Sequence, residues 1–336
     1  MSPGPRRPRR PGPALRVPPV RPARAALAAA LAGVLLVACR PPAPLPEVRV
    51  YAGVSPLAAQ ALVTLANARR LARVVLVGDL GDAEIAWFGD PAAALAAAPL
   101  LVPGSVPAQP DVEARWKDPG RRWFPLCARS RVLLLNPKAR LPFEPRQLRD
   151  LTDPRLAGRV ALVPFGSGSG PVTAAALAAT FGEGPALALL DGVARQRPQL
   201  PASDDEVQAL VASGAADVGL AGSEQAAAGA ASAASLEVVY PDQAVGGALV
   251  FPTAVALLEK GGRSEPAIRL LDWLAGADAE QLLAARAPGY LPLRSDVALP
   301  PGARSIASLR ALPVDWDRVA GLVPVLEKRL ARWPIP

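Results

Sequence analysis

The chain has 336 residues and not one histidine. Serine and cysteine hydrolases use an imidazole to activate the nucleophile, and most zinc sites use histidine as a ligand. The missing histidine therefore excludes these two kinds of catalysis and most zinc chemistry. We expect neither a catalytic residue nor a cofactor.

Motifs for nucleotides and for an activated serine are also missing. Ser167 and Ser169 do not stand in the G-x-S-x-G pattern, position 173 is threonine where G-x-G-x-x-G needs glycine, and no P-loop occurs. What remains is a glycine–serine turn just before a predicted helix, and helix N-termini attract anions. Ser167, Gly168 and Ser169 are therefore candidate ligand contacts, with a capped turn that binds nothing as the alternative.

Positive charge is concentrated at the N-terminus. The net charge is +8 and the pI is about 10.3, but seven arginines and no acidic residue lie within residues 1–38. The rest of the chain carries only about +1, and a near-neutral body argues against binding to a phosphate backbone. We expect no nucleic-acid partner.

Residues 1–38 have the form of a secretory signal peptide, because the basic region is followed by the apolar run Ala25–Ala38. The run ends in Leu36–Cys39, which resembles a bacterial lipobox. Cys39 is thus the predicted lipidation site, and residues 39–46 form a proline-rich tether. An ordinary signal peptide or a short anchor is the alternative.

The chain has only two cysteines. Once Cys39 carries lipid, Cys127 has no partner for an internal disulfide. Because Cys127 stands beside an apolar strand, we interpret it as a buried structural thiol.

Short apolar runs alternate with helical patterns from residue 48 onward, which favours an α/β fold. A long strand is predicted over Trp123–Asn136. Ser203 fits the first position of a capping box, so the acidic residues 204–206 are interpreted as a solvated first helical turn. The last helix, Asp315–Arg332, carries one apolar stripe.

Seven phrases along the body occur in the order and spacing of a known family. They resemble segments of the extracellular solute-binding proteins of ABC importers, in the ferric-iron-binding-protein-like group. The phrases are Val50–Gly53, Ala83–Trp87, Cys127–Val132, Asp150–Arg159, Val211–Leu220, Tyr240–Gln243 and Gly247–Pro252.

The resemblance implies a two-lobed periplasmic-binding-protein type II fold, in which each lobe is a central mixed sheet flanked by helices and two crossing strands join the lobes. Lobe 1 is expected at residues 47–133 plus 251–336, and lobe 2 at 134–250. The last helix is then expected on lobe 1. Ligands would sit between the lobes, and hinge closure would present the closed form to a permease.

Site residues carry over one by one. Ferric-binding members have a tyrosine pair just after the phrase at Val218–Leu220, and here Glu224 and Gln225 replace it. The first-loop position corresponds to Ser55, and the acid after the third strand corresponds to Asp90. Ferric iron prefers several anionic oxygen donors, so naked iron is not expected and the metal is left open.

Arg129 and Arg131 are two residues apart and therefore share one face of a strand. At the cleft they could clamp an anionic group; a structural ion pair near the hinge is the alternative. Ser203, at the start of its helix, completes the set of candidate ligand contacts.

Together these observations predict a lipid-anchored, monomeric solute-binding component of an ABC importer, held on the periplasmic side of the cell envelope. It would capture a small anionic or polar ligand, or a metal–anion complex, and pass it to a permease in the inner membrane. The alternative is a non-transport interaction or sensor protein on the same scaffold, which the departures at Ser55, Glu224 and Gln225 motivate.

Replacing Cys39 tests the predicted anchor. We expect Cys39→Ser to remain unlipidated because serine has no thiol to accept the lipid, as measured by radiolabelled-palmitate incorporation and membrane fractionation. Cys127→Ser is the matched control and should be labelled like the parent protein. Normal labelling of Cys39→Ser would show that the lipobox prediction is wrong.

Overall fold

The computed structural model describes Gly4, residues 44–230 and residues 236–334. The predicted signal peptide and Cys39 lie outside the described residues, apart from Gly4, and so does the tether up to residue 43. From Leu45 onward the chain forms one structural unit.

Eight strands build one continuous mixed sheet with the order β2-β1-β3-β8-β4-β6-β5, and β7 also pairs with β4. The bounds of the strands are Glu47–Ala52 (β1), Arg73–Val77 (β2), Ile85–Phe88 (β3), Phe124–Leu135 (β4), Val160–Leu162 (β5), Val218–Gly222 (β6), Glu237–Val239 (β7) and Val250–Leu257 (β8).

Helices cover the sheet. Their bounds are Pro56–Ala68 (α1), Pro91–Ala96 (α2), Gly170–Phe181 (α3), Glu183–Ala194 (α4), Asp204–Ser213 (α5), Ser223–Ala230 (α6), Glu265–Leu274 (α7), Ala277–Arg286 (α8) and Trp316–Leu330 (α9). Several begin at side-chain caps, among them α1 at Ser55, α2 at Asp90 and α5 at Ser203.

Two long buried strands, β4 and β8, run between the lobes. The first half of β4 pairs antiparallel with β8 as far as Ser130, and from Arg131 onward β4 pairs antiparallel with β6. The chain thus has the predicted two-lobed α/β fold. The first lobe is built on β1–β3 with α1, α7 and α8, and the second on β5–β7 with α3–α6.

The second crossing strand differs in extent from its prediction. The apolar run Gly246–Phe251 predicts a strand over these residues alone. In the structure β8 begins at Val250, passes through Pro252 and continues to Leu257. Its pairing with β3 over Ala254–Leu257 compensates for the donor that Pro252 lacks.

Each lobe has its own apolar core. The first surrounds Trp87 and Phe124, and the second surrounds Leu133, Leu177 and Leu190. Cys127 is 1% exposed in the first core, and its Sγ lies 3.6 Å from Thr253 Oγ1. Burial raises the pKa of this thiol well above its usual value. The prediction of a buried structural thiol is confirmed.

The sequence predicted that the last helix docks on the first lobe. In the structure the helix contacts both lobes. The apolar stripe of α9 joins the core that contains α3, with Val319, Leu326 and Leu330 buried there. Ala92 of α2 belongs to the same cluster. The helix therefore packs mainly against the second lobe and also reaches the first, because α2 and α3 both present small apolar side chains to it.

None of the helices within the described residues is both long and apolar enough to cross a membrane.

The packing of α9 can be tested with two neighbouring residues. Leu326 is 1% exposed and Val325 is 55% exposed. Truncating a buried leucine removes burial and leaves a cavity, so Leu326→Ala should lower the free energy of unfolding by roughly 2–5 kcal/mol. Val325→Ala should change it by less than about 0.5 kcal/mol. Urea melts of both variants measure this, and equal melts would contradict the docking of α9.

Candidate functional site

The candidate site lies where β4 passes from one lobe to the other. Arg129 is paired in register with Phe251 of β8, and Arg131 is paired with Gly222 of β6. Because alternate residues of a strand share a face, both guanidinium groups point to the same side. The predicted shared face is what brings them into one cluster.

Arg131 is held by the second lobe. Its Nη1 and Nη2 donate to the two oxygens of Asp204 over 2.8 and 3.0 Å, and Nη1 also donates to Ser169 Oγ over 3.2 Å. Ser169 Oγ in turn donates to Asp204 over 3.0 Å. Burial opposes the charged form of Asp204, but Arg131 and Ser169 outweigh it and lower its pKa.

Asp204 therefore corrects one prediction. The sequence placed it in a solvated first turn, but its side chain is only 14% exposed and forms a two-pronged ion pair with Arg131. Asp205 and Glu206, the next two residues, are exposed as expected. The difference arises because the first turn of α5 faces the crossing strand.

Arg129 is held by Glu224, whose Oε1 accepts from Arg129 Nη1 over 2.5 Å. A Cβ placed on Gly89 would lie 3.1 Å from Arg129 Nη2, so the guanidinium lies directly against the first lobe. Glu224 belongs to the first turn of α6 in the second lobe. In this structure Arg129 forms an ion pair at the hinge, which was the alternative to clamping an anionic group.

Three predicted residues, Arg129, Ser169 and Glu224, line one small cavity of about 20 Å³. Arg131, Thr173 and Phe251 are also part of its wall. A space of this size holds about one water molecule. The cavity by itself therefore does not hold a whole ligand.

The predicted residues of the first lobe lie on the other side of Arg129. Asp90 caps α2 by accepting from Ala93 N over 2.9 Å, and burial raises its pKa despite the nearby charge of Arg129. Ser55 caps α1, and its Oγ accepts from the hydroxyl of Tyr290 over 3.2 Å. Burial and the charge of Glu224 raise the pKa of Tyr290 to about 12.

The remaining predicted residues lie around the cavity rather than in its wall. Ser167 and Gly168 are exposed in the turn before α3, where the N–H groups of Gly168 and Ser169 have no partner among the described residues. Ser203 Oγ accepts from Glu206 N over 3.2 Å, which confirms its capping role. Gln225 follows Glu224, and its Oε1 is buried without a partner.

Sequence reasoning missed Tyr290 and the partner of Arg131. Tyr290 follows Gly289, which has φ +90° and lies so close to Ser223 that a Cβ would be 2.2 Å from the Ser223 carbonyl oxygen. Ser223 and Gly289 are 66 positions apart, and no local sequence pattern indicates that they are in contact. The sequence predicted that Arg131 shares a strand face with Arg129, but it placed the partner, Asp204, in a solvated helical turn.

Within the described residues, no group of three or more histidine, cysteine, aspartate or glutamate side chains lies close enough to hold a metal ion. Asp90 caps a helix, and Asp204 and Glu224 each form an ion pair with an arginine. A hard cation would find too few anionic oxygens here.

A family model described as bacterial extracellular solute-binding protein matches residues 96–320, about two thirds of the chain. This chain belongs to that family. A curated relative, iron uptake protein A1 of Synechocystis, is 26% identical over 219 residues, which are 62% of this chain and 60% of that protein. The family and its solved structures are binding proteins.

Solved structures share the fold at low sequence identity. A Trichodesmium protein solved in complex with iron and citrate has a TM-score of 0.71 at 19% identity, covering 85% of this chain and 98% of that one. The periplasmic binding protein AfuA of Actinobacillus pleuropneumoniae, solved with fructose-6-phosphate, has a TM-score of 0.74 at 15% identity, covering 85% and 98%. The predicted family and fold are confirmed.

The ion pair of Arg131 and Asp204 can be tested against a neighbouring acid. Asp204→Asn leaves a buried arginine without its charge partner, which should cost roughly 3–5 kcal/mol of unfolding free energy at pH 7. Asp205→Asn, next to it and exposed, should cost less than about 0.5 kcal/mol. Guanidinium melts measure both.

The same pair has a definite pH dependence. Because the folded state lowers the pKa of Asp204 below 3.8, its stabilisation is present above that pH and is lost as the pH falls through the lowered value. The difference between parent and Asp204→Asn should thus shrink as melts are repeated toward pH 3. A difference that does not change with pH would contradict the ionised pair.

Proposed function

We propose that this protein is the solute-binding component of an ABC importer and captures a small anionic or polar ligand, or a metal–anion complex, between its lobes. The observation that carries this proposal is the buried polar cluster at the lobe junction, in which Arg129, Ser169 and Glu224 meet at one cavity. Buried polar groups cost free energy, so a cluster of them at the junction favours a role in binding.

The turn before α3 supports an oxyanion end of the ligand. The N–H groups of Gly168 and Ser169 are unpaired, Gly168 and Ser167 are exposed, and α3 begins at Gly170. Unpaired N–H groups and the helix dipole favour negative charge at such a place. Ser203, Ser55 and Asp90 would border the same opening.

Capture would proceed by hinge motion. The cavity of about 20 Å³ is too small for citrate or a sugar phosphate, so the lobes must separate around β4 and β8 to admit one. We propose the lobe boundaries given by the sequence, with α9 reassigned mainly to the second lobe. Ligand would then be handed as a closed, monomeric complex to a permease in the inner membrane.

The proposal includes the lipid anchor at Cys39 on the periplasmic side of the envelope and excludes turnover of the ligand. The lipobox pattern and the missing histidine support these two points. A metal would be cargo bound through an accompanying anion, since Glu224 and Asp90 already serve an ion pair and a helix cap.

A second candidate is an envelope interaction or sensor protein that keeps the scaffold without transport. It is favoured by the fact that Arg129 is already paired with Glu224 inside the chain. In that case no small molecule would cause the lobes to close.

Calorimetric titration with phosphate, phosphonates, citrate, sugar phosphates and ferric chelates separates the two candidates. We expect saturable binding of at least one, together with a decrease in the radius of gyration measured by small-angle X-ray scattering. Neither binding nor compaction with any of them would favour the second candidate.

Arg129→Ala tests the contribution of the hinge arginine to an anionic ligand. Loss of a charged hydrogen bond should weaken that ligand by roughly 1.5–3 kcal/mol. Arg269→Ala, an exposed arginine on α7, is the control and should bind like the parent. Unchanged affinity of a folded Arg129→Ala protein would refute the role.

A further inference from the structure

The cavity at the lobe junction has the size and lining of a site for a single small polar group. Its volume of about 20 Å³ exceeds the 10–15 Å³ that one water-sized group needs. Its wall combines the apolar face of Phe251 and Val172 with Arg129, Arg131 and Glu224. Glu224 and Arg131 are 8% and 6% exposed.

Three of the four charged residues in this wall retain one buried polar atom without a partner. These atoms are Arg129 Nε, Arg131 Nε and Glu224 Oε2. The first two are donors and the third is an acceptor. An unpaired buried polar atom costs roughly 1–3 kcal/mol, so three such atoms on residues that line one cavity indicate an occupant.

The fourth charged residue, Asp204, accepts from Arg131 and Ser169, and the other polar side chains of the wall are also satisfied. Ser169 Oγ donates to Asp204, Thr173 Oγ1 donates to the carbonyl of Ser169 over 2.7 Å, and Ser130 Oγ donates to the carbonyl of Leu249 over 3.1 Å. These side chains need no hydrogen bond from the occupant. The occupant therefore has to match two donors and one acceptor.

A hydroxyl group matches that set. Its oxygen accepts two hydrogen bonds and donates one, whereas an ionised carboxylate or phosphate oxygen cannot donate to Glu224 and an ammonium cannot accept from the arginines. The charges agree, because Arg129 and Arg131 are balanced by Glu224 and Asp204. A neutral group is therefore the least costly to bury.

We propose that this cavity is a hydroxyl subsite, in which Arg129 Nε and Arg131 Nε donate to one hydroxyl oxygen and that hydroxyl donates to Glu224 Oε2. The inference rests on the proposed function and narrows the ligand to a hydroxylated oxyanion, such as a hydroxy acid or a polyol phosphate. The oxyanion end would contact the turn at Gly168 and Ser169.

Gly222 keeps the acceptor of this subsite accessible. A Cβ at position 222 would lie 2.8 Å from Glu224 Oε2 and 2.6 Å from Gln225 Oε1. A side chain there would push the Glu224 carboxylate away from the cavity. The absence of a side chain at position 222 thus has a direct use in the subsite.

Two sources can supply the oxygen: a hydroxyl of the ligand, or a water molecule when no ligand is bound. Both use the same three atoms. They are distinguished by pairs of compounds that differ in one hydroxyl and by the structure of the ligand-free protein.

The first experiment titrates citrate against tricarballylate, which is citrate without its hydroxyl, and glycerol 3-phosphate against propyl phosphate. A buried site built for a hydroxyl rejects the analogue that lacks it, here by at least about 100-fold. Equal affinities within either pair that binds would overturn the proposal while leaving the binding function intact.

The second experiment replaces the acceptor. In Glu224→Gln the amide keeps its shape and accepts from Arg129, but its second group now donates, so the preference for the hydroxylated member should fall at least about tenfold. Glu237→Gln, at an exposed position of strand β7, is the control and should keep the preference. A preference unchanged in Glu224→Gln would also overturn the proposal.

The third experiment separates this inference from the proposed function. In a high-resolution crystal structure of the ligand-free protein, an ordered water should lie about 2.7–3.2 Å from all three atoms. If that water is present but no compound binds, the subsite stands and the transport function fails. If the three atoms have no common oxygen partner, the subsite is wrong whatever the protein binds.

Discussion

The antiparallel pairing of β4 with β8 is the contact on which the whole molecule depends. Both strands are buried along nearly their full length, and β4 continues the sheet from its pairing with β8 to its pairing with β6. A hinge made of paired strands bends without losing its hydrogen bonds. The same pairing fixes the register that places Arg129 and Arg131 at the junction, so mobility and recognition have a common origin.

The second important feature is that the buried charges at the lobe junction neutralise each other within the chain. Two arginines at the floor of the cleft are matched by two carboxylates from the first turns of α5 and α6. Such pairs contribute little net stability once desolvation is counted, but they are costly to break. They hold α5 and α6 at fixed distances from β4.

The sequence predicted those features that have a short-range signal. The strand through Arg129, the cap at Ser203 and the buried thiol of Cys127 follow from alternation, capping and hydrophobicity, and the order of seven phrases predicted the two lobes. The sequence did not predict the ion pair of Asp204 with Arg131, the hydrogen bond of Tyr290 to Ser55 or the packing of α9 against α3. These contacts join distant segments. Only the packed fold specifies such partners.

Gly166 joins two parts of the molecule that the chain separates widely. A Cβ at this position would lie 2.0 Å from the carbonyl oxygen of Leu330, so the end of α9 rests directly on the turn before α3. The end of α9 is therefore packed on the turn before α3. A fluorophore attached at the exposed Arg332 would report on that turn through this contact.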